Sequence, residues 1–150
     1  MKRRSRARSS SLFLLELIIA ILFFSACTAV CIQFFVKSHT MSQDSGKLNF
    51  AVNECTALAE VIQSSDTGAD AVSAIHDIYP GAEIQMDADG AAMSIYFDDE
   101  FRECDRNHAR YVVKANLAAH RGLISGNICA GPKDGTVNIY ELEVKHNEQR

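Results

Sequence analysis

One carboxylate lies inside a strongly apolar part of this sequence. Glu16 is the only charged residue between Leu12 and Val36, a stretch that contains no Gly and no Pro. A carboxylate inside a membrane helix costs on the order of 2.5–3.5 kcal/mol on insertion scales, and it is usually retained where it has a partner. Within its own chain Glu16 could reach the lipid headgroups or pair with Arg8, so we treat it as a candidate site for a polar contact.

A second group of carboxylates has the composition of a cation-binding loop. The run Asp87-Ala88-Asp89-Gly90 resembles the opening of a calcium loop, but it lacks the third ligand and the distal Glu of an EF-hand. A hairpin turn is the favoured interpretation. A calcium site on Asp87 and Asp89, completed by the acids at 98–100 if the fold brings them close, is the alternative, and no other cofactor is indicated.

Three cysteines lie outside the apolar stretch, namely Cys55, Cys104 and Cys129. An odd number of cysteines defines no disulfide framework. One disulfide with one free thiol, or three small buried thiols, are both consistent with the sequence. A zinc set that adds His108 and His120 lacks the paired cysteine spacing typical of such sites.

Motifs and charge exclude several classes of function. The chain has no phosphate-binding glycine loop, nucleophile elbow or metalloprotease helix, so we expect no catalytic residues and no small-molecule substrate. Lys and Arg number fifteen, five of them in the first eleven residues, so ten cations remain against nineteen acids. A basic arm before an acidic body is not the profile of a nucleic-acid-binding protein.

The element that must position Glu16 is a membrane helix over residues 12–36. Twenty-five residues at 1.5 Å each span roughly 37 Å, and a hydrocarbon core is about 30 Å thick. The basic segment 1–11 flanks one end, and Lys37 and His39 flank the other. The positive-inside rule therefore predicts a single-pass protein of the cytoplasmic membrane, with its N-terminus inside and residues 37–150 outside.

Cysteines inside this stretch allow two further interpretations. Cys27 and Cys31 are four residues apart and share one helical face, which suits close helix packing. Phe24-Ser25-Ala26-Cys27 also resembles a lipoprotein box, in which the cysteine would be lipidated. The lipoprotein is the poorer fit, because Glu16 would lie in the apolar region of the signal and apolar residues continue to Val36.

The leader and the helix together resemble the N-terminus of bacterial type IV pilins and type II secretion pseudopilins. In that family a basic leader is removed just before an apolar helix whose fifth residue is Glu, and Glu16 is fifth when Leu12 is counted as first. Ser11 stands where the family usually has Gly. The resemblance implies cleavage between Ser11 and Leu12 by a prepilin peptidase and N-methylation of the new amine. It also implies that Glu16 pairs with the amine of a neighbouring subunit.

In this interpretation the helix is also the assembly surface. Four apolar residues at helical spacing would supply the packing, namely Leu14, Leu17, Ile21 and Phe24. The implied partners are other pilin-like subunits, the peptidase and the assembly machinery, and the chain would be a structural component that could enter an extracellular filament. The competing hypothesis is a non-polymerising extracytoplasmic binding domain on a single-pass anchor.

Periodicity after residue 37 predicts an α+β domain. Leu48, Val52, Cys55, Ala59 and Ile62 repeat at helical spacing within 42–64, and residues 70–79 form a second helix before Pro80-Gly81. Alternating runs then predict strands over 83–86, 93–97, 111–117, 123–129 and 136–144, with a turn over 130–135 and a bulge at Ile139-Tyr140. The expected fold is a long N-terminal helix, continuing outward from the membrane, on a small antiparallel sheet of four or five strands.

Overall fold

Two helices precede five strands in the computed structural model, which describes residues 5–87, 90–120, 122–135 and 137–147, with side chains from residue 11 onward. Contacts divide the chain into two compact units at Asp44. The elements are α1 (Ser5–Ser64), α2 (Gly68–Ile78), β1 (Glu83–Asp87), β2 (Gly90–Phe97), β3 (Tyr111–His120), β4 (Leu123–Pro132) and β5 (Tyr140–Asn147).

The strands form one antiparallel sheet in the order in which they occur along the chain, β1-β2-β3-β4-β5. Its centre is β3, where Ala115 lies opposite Met93 of β2 and Ile128 of β4. Every strand pairs with its neighbour in the chain, which is the commonest arrangement of consecutive strands, although residues 98–110 separate β2 from β3. The α+β class, with a long N-terminal helix packed on a small antiparallel sheet, is confirmed.

The last four turns of α1 cover one face of the sheet. Ala51, Cys55, Leu58 and Ile62 are fully buried at spacings of four, three and four. Of the predicted positions, Cys55, Ala59 and Ile62 are buried, whereas Val52 is only partly buried. The prediction for Leu48 was wrong, since 45% of its surface is exposed. Burial begins instead at Phe50, whose ring stacks on Phe101 with centroids 4.5 Å apart.

The second helix begins two residues earlier than predicted because Thr67 caps it. The Thr67 hydroxyl accepts a hydrogen bond from the backbone N–H of Asp70 at 3.2 Å. Ala71, Val72 and Ile75 of α2 are buried. Ile78, which the spacing placed on the same apolar face, is exposed because the helix ends there, before Pro80.

Every strand differs from its predicted range at one end or at both. β1 and β3 extend to Asp87 and His120, β2 begins at Gly90, and β5 ends at Asn147. β4 continues to Pro132 because β3 supplies partners for Ala130 and Gly131, so the predicted turn shrinks to the residues after Pro132. β5 begins at Tyr140 rather than at Thr136, which lies outside the described residues. Its ladder is regular from Tyr140 onward. At the position of the predicted bulge, Ile139 N–H donates at 2.8 Å to the carbonyl of Ala130, which is also the partner of Tyr140, so two residues face one. The apolar phase changes at Ile139 because the strand starts there.

Candidate functional site

The N-terminal part of α1 presents its side chains to the surroundings. Every residue from 11 to 44 is exposed. Of the helices that the structure describes, this one alone is long and apolar enough to cross a membrane. A single membrane span near the N-terminus is therefore compatible with the structure.

Glu16 is an exposed carboxylate on this apolar surface. It forms no hydrogen bond or ion pair with any residue that the structure describes, and the side chain of Arg8 lies outside the described residues. Leu12 lies one turn before Glu16 on the same helical face. Ser11 and Leu12 are both in helical conformation, so the predicted cleavage point lies within α1.

The four predicted packing residues share one face of α1. Their spacing of three, four and three residues keeps them in a single stripe, and Leu17, the least exposed, still exposes 48% of its surface. Glu16 lies about a third of a turn away from the centre of this stripe, at 100° per residue. The stripe and the carboxylate are therefore neighbouring but separate surfaces. The stripe comprises Leu14, Leu17, Ile21 and Phe24.

A shallow depression of about 560 Å³ follows this stripe toward the C-terminus, where small side chains occur between larger ones. Ser25 and Thr28 line it, and each donates its hydroxyl hydrogen bond to the carbonyl four residues earlier, at 2.9 Å. Their polar groups are therefore satisfied within the helix. Another apolar helix could approach this face closely without burying an unpaired hydroxyl.

All five cysteines lie in the described ranges, and all are free thiols. Cys55 is completely buried, and desolvation, together with the nearby Cys129 and Glu54, raises its pKa to about 12. Burial also raises the pKa of Cys104 and of Cys129. A raised pKa makes a thiol a poorer nucleophile at neutral pH. Cys55 belongs to the buried core, and Cys104 packs against Tyr96, Ala109 and Val112.

The residues of the two candidate metal sites are not brought together. Asp87 ends β1 beside the start of β2, whereas Asp98 follows the opposite end of that strand, about 25 Å away at 3.3 Å per residue. Asp89 lies outside the described residues. His120, at the far end of β3, is similarly distant from Cys104. Within the described ranges, no three His, Cys, Asp or Glu residues are grouped to hold a metal ion.

In the acidic loop after β2, the carboxylate of Asp98 instead stabilises the conformation of the loop itself. Asp98 accepts hydrogen bonds from the backbone N–H groups of Glu100 and Arg102 at 2.8 and 3.0 Å. These bonds, with the Arg102 guanidinium, lower the pKa of Asp98. Phe101 adopts a left-handed φ of 60° and is held by its stacking on Phe50.

One feature of the domain has no signal in the local sequence. A polar depression of about 310 Å³ lies on the sheet face opposite α1, since its strand residues alternate with those of the core. We call it the outer depression. Its lining includes one carboxylate, three cations, a Tyr ring and a Val, contributed by three strands, a loop and a turn. These are Glu83, Tyr96, Arg106, Val112, Lys114 and Lys133.

Comparison with known proteins gives no match to this chain among family models, curated proteins or solved structures.

Proposed function

We propose that this chain is a pilin-like subunit of the pseudopilin type, anchored by residues 12–36 before it polymerises through that helix. The observation that carries the proposal is the continuity of α1. One 60-residue helix contains both the exposed apolar segment and the segment packed on the sheet. Such a helix can exchange lipid for neighbouring helices while the domain keeps its fold.

Glu16 is the residue that sets the alignment of neighbouring helices along their axes when they exchange lipid for one another. Its carboxylate has no partner among the described residues, and an unpaired charge in an apolar environment is costly. Cleavage before Leu12 would create an amine near this position on every subunit. An ion pair between that amine and Glu16 of a neighbour compensates both charges, and this favours one alignment of the helices.

The remaining parts of the proposal concern topology and partners. The basic leader keeps the N-terminus in the cytoplasm, and residues 37–150 lie outside the membrane. A prepilin peptidase removes residues 1–11, and assembly machinery and other pilin-like subunits are the partners. The chain is a structural component of a type IV pilus or type II secretion-type assembly, and it performs no catalysis.

The intact mass and the N-terminal sequence of the protein from its native membrane test the processing step. We expect a chain that begins at Leu12 and carries one additional methyl group. A chain that begins at Met1 would contradict processing and support the tethered binding domain. A lipid-modified Cys27 at the N-terminus would show a lipoprotein.

The Glu16→Gln variant tests assembly, because it removes the charge and keeps the size of the side chain. Removing one partner of a buried ion pair costs about 3–5 kcal/mol, so we expect cross-linked oligomers to fall by at least about tenfold. Glu60→Gln is the matched control, since Glu60 is an exposed carboxylate on the same helix within the domain. Oligomers that persist equally in both variants would overturn the role of Glu16.

A further inference from the structure

The outer depression concentrates positive charge on an acidic domain. From residue 48 to residue 101 the chain contains no Lys or Arg. Arg106, Lys114 and Lys133 nevertheless line the same depression, with Glu83 as its carboxylate. The fold therefore creates a local cationic surface that no short sequence window contains.

The carboxylate of Glu83 positions the Arg106 guanidinium, and the negative charge of Glu83 is balanced by that guanidinium. One oxygen of its carboxylate, Oε2, accepts the hydrogen bond of Tyr96 Oη at 2.9 Å and lies 3.5 Å from Arg106 Nη1. The guanidinium carbon lies 5.9 Å from the centroid of the Tyr96 ring. A guanidinium has five N–H groups, so this one retains donors for a second carboxylate while its plane is held in place.

Lys133 forms hydrogen bonds with the loop that carries Arg106. Its ammonium donates to the backbone carbonyl of Arg106, and its backbone N–H donates to the carbonyl of Arg110 at 2.8 Å. Both cations are thereby held at one end of the depression. Lys114 lies toward the other end, on β3, opposite Ser94 of β2.

The positions of the cations along the strands indicate the shape of the ligand. Lys114 pairs with Cys129 of β4, and Lys133 follows Cys129 by four residues. Lys133 lies in the turn one residue after β4, so the backbones of the two lysines are separated by at most about 13 Å along the strand direction. A ligand with several carboxylates can contact Lys114 at one end of the depression and Arg106 and Lys133 at the other. An extended peptide carries side chains on one face every 6.6 Å or so, which matches this separation when acids occur at alternate positions.

We propose that the outer depression binds an extended acidic peptide segment with Asp or Glu at alternate positions. Carboxylates of the segment pair with Lys114, Arg106 and Lys133, and Val112 and the Tyr96 ring form the apolar floor beneath it. The site lies on the sheet face opposite α1 and shares no residue with Glu16 or the apolar stripe, so its binding test is separate from the test of polymerisation. Its partner is an acidic tail or loop of another protein.

Fluorescence anisotropy with the full chain in non-ionic detergent micelles tests this proposal. The probe is a labelled peptide of four Glu residues alternating with Ser. Exposed ion pairs contribute up to about 1 kcal/mol each, so we expect Lys114→Ala and Arg106→Ala each to raise the Kd about three- to fivefold, and the double variant about tenfold or more. Lys114 is exposed, so its truncation leaves the core intact.

Lys145→Ala is the matched control, because Lys145 is an exposed lysine of β5 on the same sheet face, outside the depression. We expect the Kd of the Lys145→Ala variant for the peptide to equal that of the unmodified chain. A peptide in which Gln replaces Glu should bind the unmodified chain at least tenfold more weakly. Equal weakening by Lys145→Ala, or absence of saturable binding up to 1 mM peptide, would overturn the proposal. If citrate competes for the site as well as the unlabelled peptide does, the proposal that the ligand is an extended peptide would be overturned.

Discussion

At the scale of single residues, burial controls protonation where α1 meets the domain. Cys55 is completely buried, and its pKa is raised to about 12 mainly by desolvation. Its neighbour Glu54 accepts a hydrogen bond from Tyr79 Oη at 2.5 Å, which ties α1 to the end of α2. Desolvation and that bond raise the pKa of Tyr79 well above its ordinary value. Both groups are therefore neutral packing residues at physiological pH.

These pKa values predict that the free energy of unfolding falls as the pH rises above about 9. Cys55 ionises near 12 in the folded chain, against an ordinary value of 9.0, so between these values the unfolded chain has lost a proton that the folded chain keeps. Linkage then gives a decrease of up to about 1.4 kcal/mol per pH unit for one such group. Urea unfolding of the full chain in micelles between pH 8 and 11 measures this slope.

The contribution of Cys55 is separable by mutation. Cys55→Ala should give a shallower decrease between pH 9 and 10, before tyrosines ionise in the unfolded chain. Asn53→Ala, at an exposed and non-ionisable position of the same helix within the domain, is the control and should leave the slope unchanged. A Cys55→Ala slope as steep as that of the unmodified chain would contradict the assignment.

At the scale of elements, the packing of α1 on β4 depends on a glycine. A Cβ added at Gly126 would lie 3.1 Å from Leu117 Cδ2 and 3.3 Å from Ile62 Cδ1, tighter than ordinary contact. Gly46, within α1, has no atom within 4 Å of the corresponding position. The same substitution therefore meets a packed interface at one site and open space at the other.

We expect Gly126→Ala to lower the free energy of unfolding by about 1 kcal/mol, because the ends of the Leu117 and Ile62 side chains must shift to admit the methyl group. Gly46→Ala should raise it by about 0.5–1 kcal/mol, because alanine loses less backbone entropy in a helix. Chemical denaturation of both variants measures the two shifts. Effects of the same sign would show that the helix does not pack on β4 as described.

At the scale of the whole molecule, an apolar helix and an acidic α+β domain share one chain. Residues 11–44 are exposed throughout, whereas residues 45–147 include a core of buried apolar side chains. An exposed apolar surface of this length is unstable in water. This surface is compatible with a single membrane span near the N-terminus.

We expect the full chain to stay in the membrane fraction after a carbonate wash and to be released by a non-ionic detergent. An Ile21→Lys/Phe24→Lys double variant adds roughly 5–7 kcal/mol to the cost of insertion, which should move most of the protein out of that fraction. Leu48→Lys, at an exposed position of the same helix beyond the apolar segment, is the control and should fractionate normally. Carbonate release of the unmodified chain would contradict a membrane span.

Periodic patterns predicted most elements, because a buried face repeats every 3.6 residues in a helix and every second residue in a strand. The alternation of Val113, Ala115 and Leu117 correctly identified β3 and its core face. Element ends were less predictable. β4 extends past Gly131 because β3 offers it partners, and Phe50 rather than Leu48 begins the core because Phe101 lies beside it.

The sequence by itself determined the apolar segment with Glu16, the α+β class and the part of the core face of α1 that runs from Cys55 to Ile62, since these depend on residues close together in the chain. Tertiary structure decided which separate residues meet. It placed Asp87 and Asp98 at opposite ends of β2, and it joined Lys114 and Lys133 in the outer depression. Strand pairing sets these distances, and pairing depends on the packing of the whole sheet rather than on any single segment.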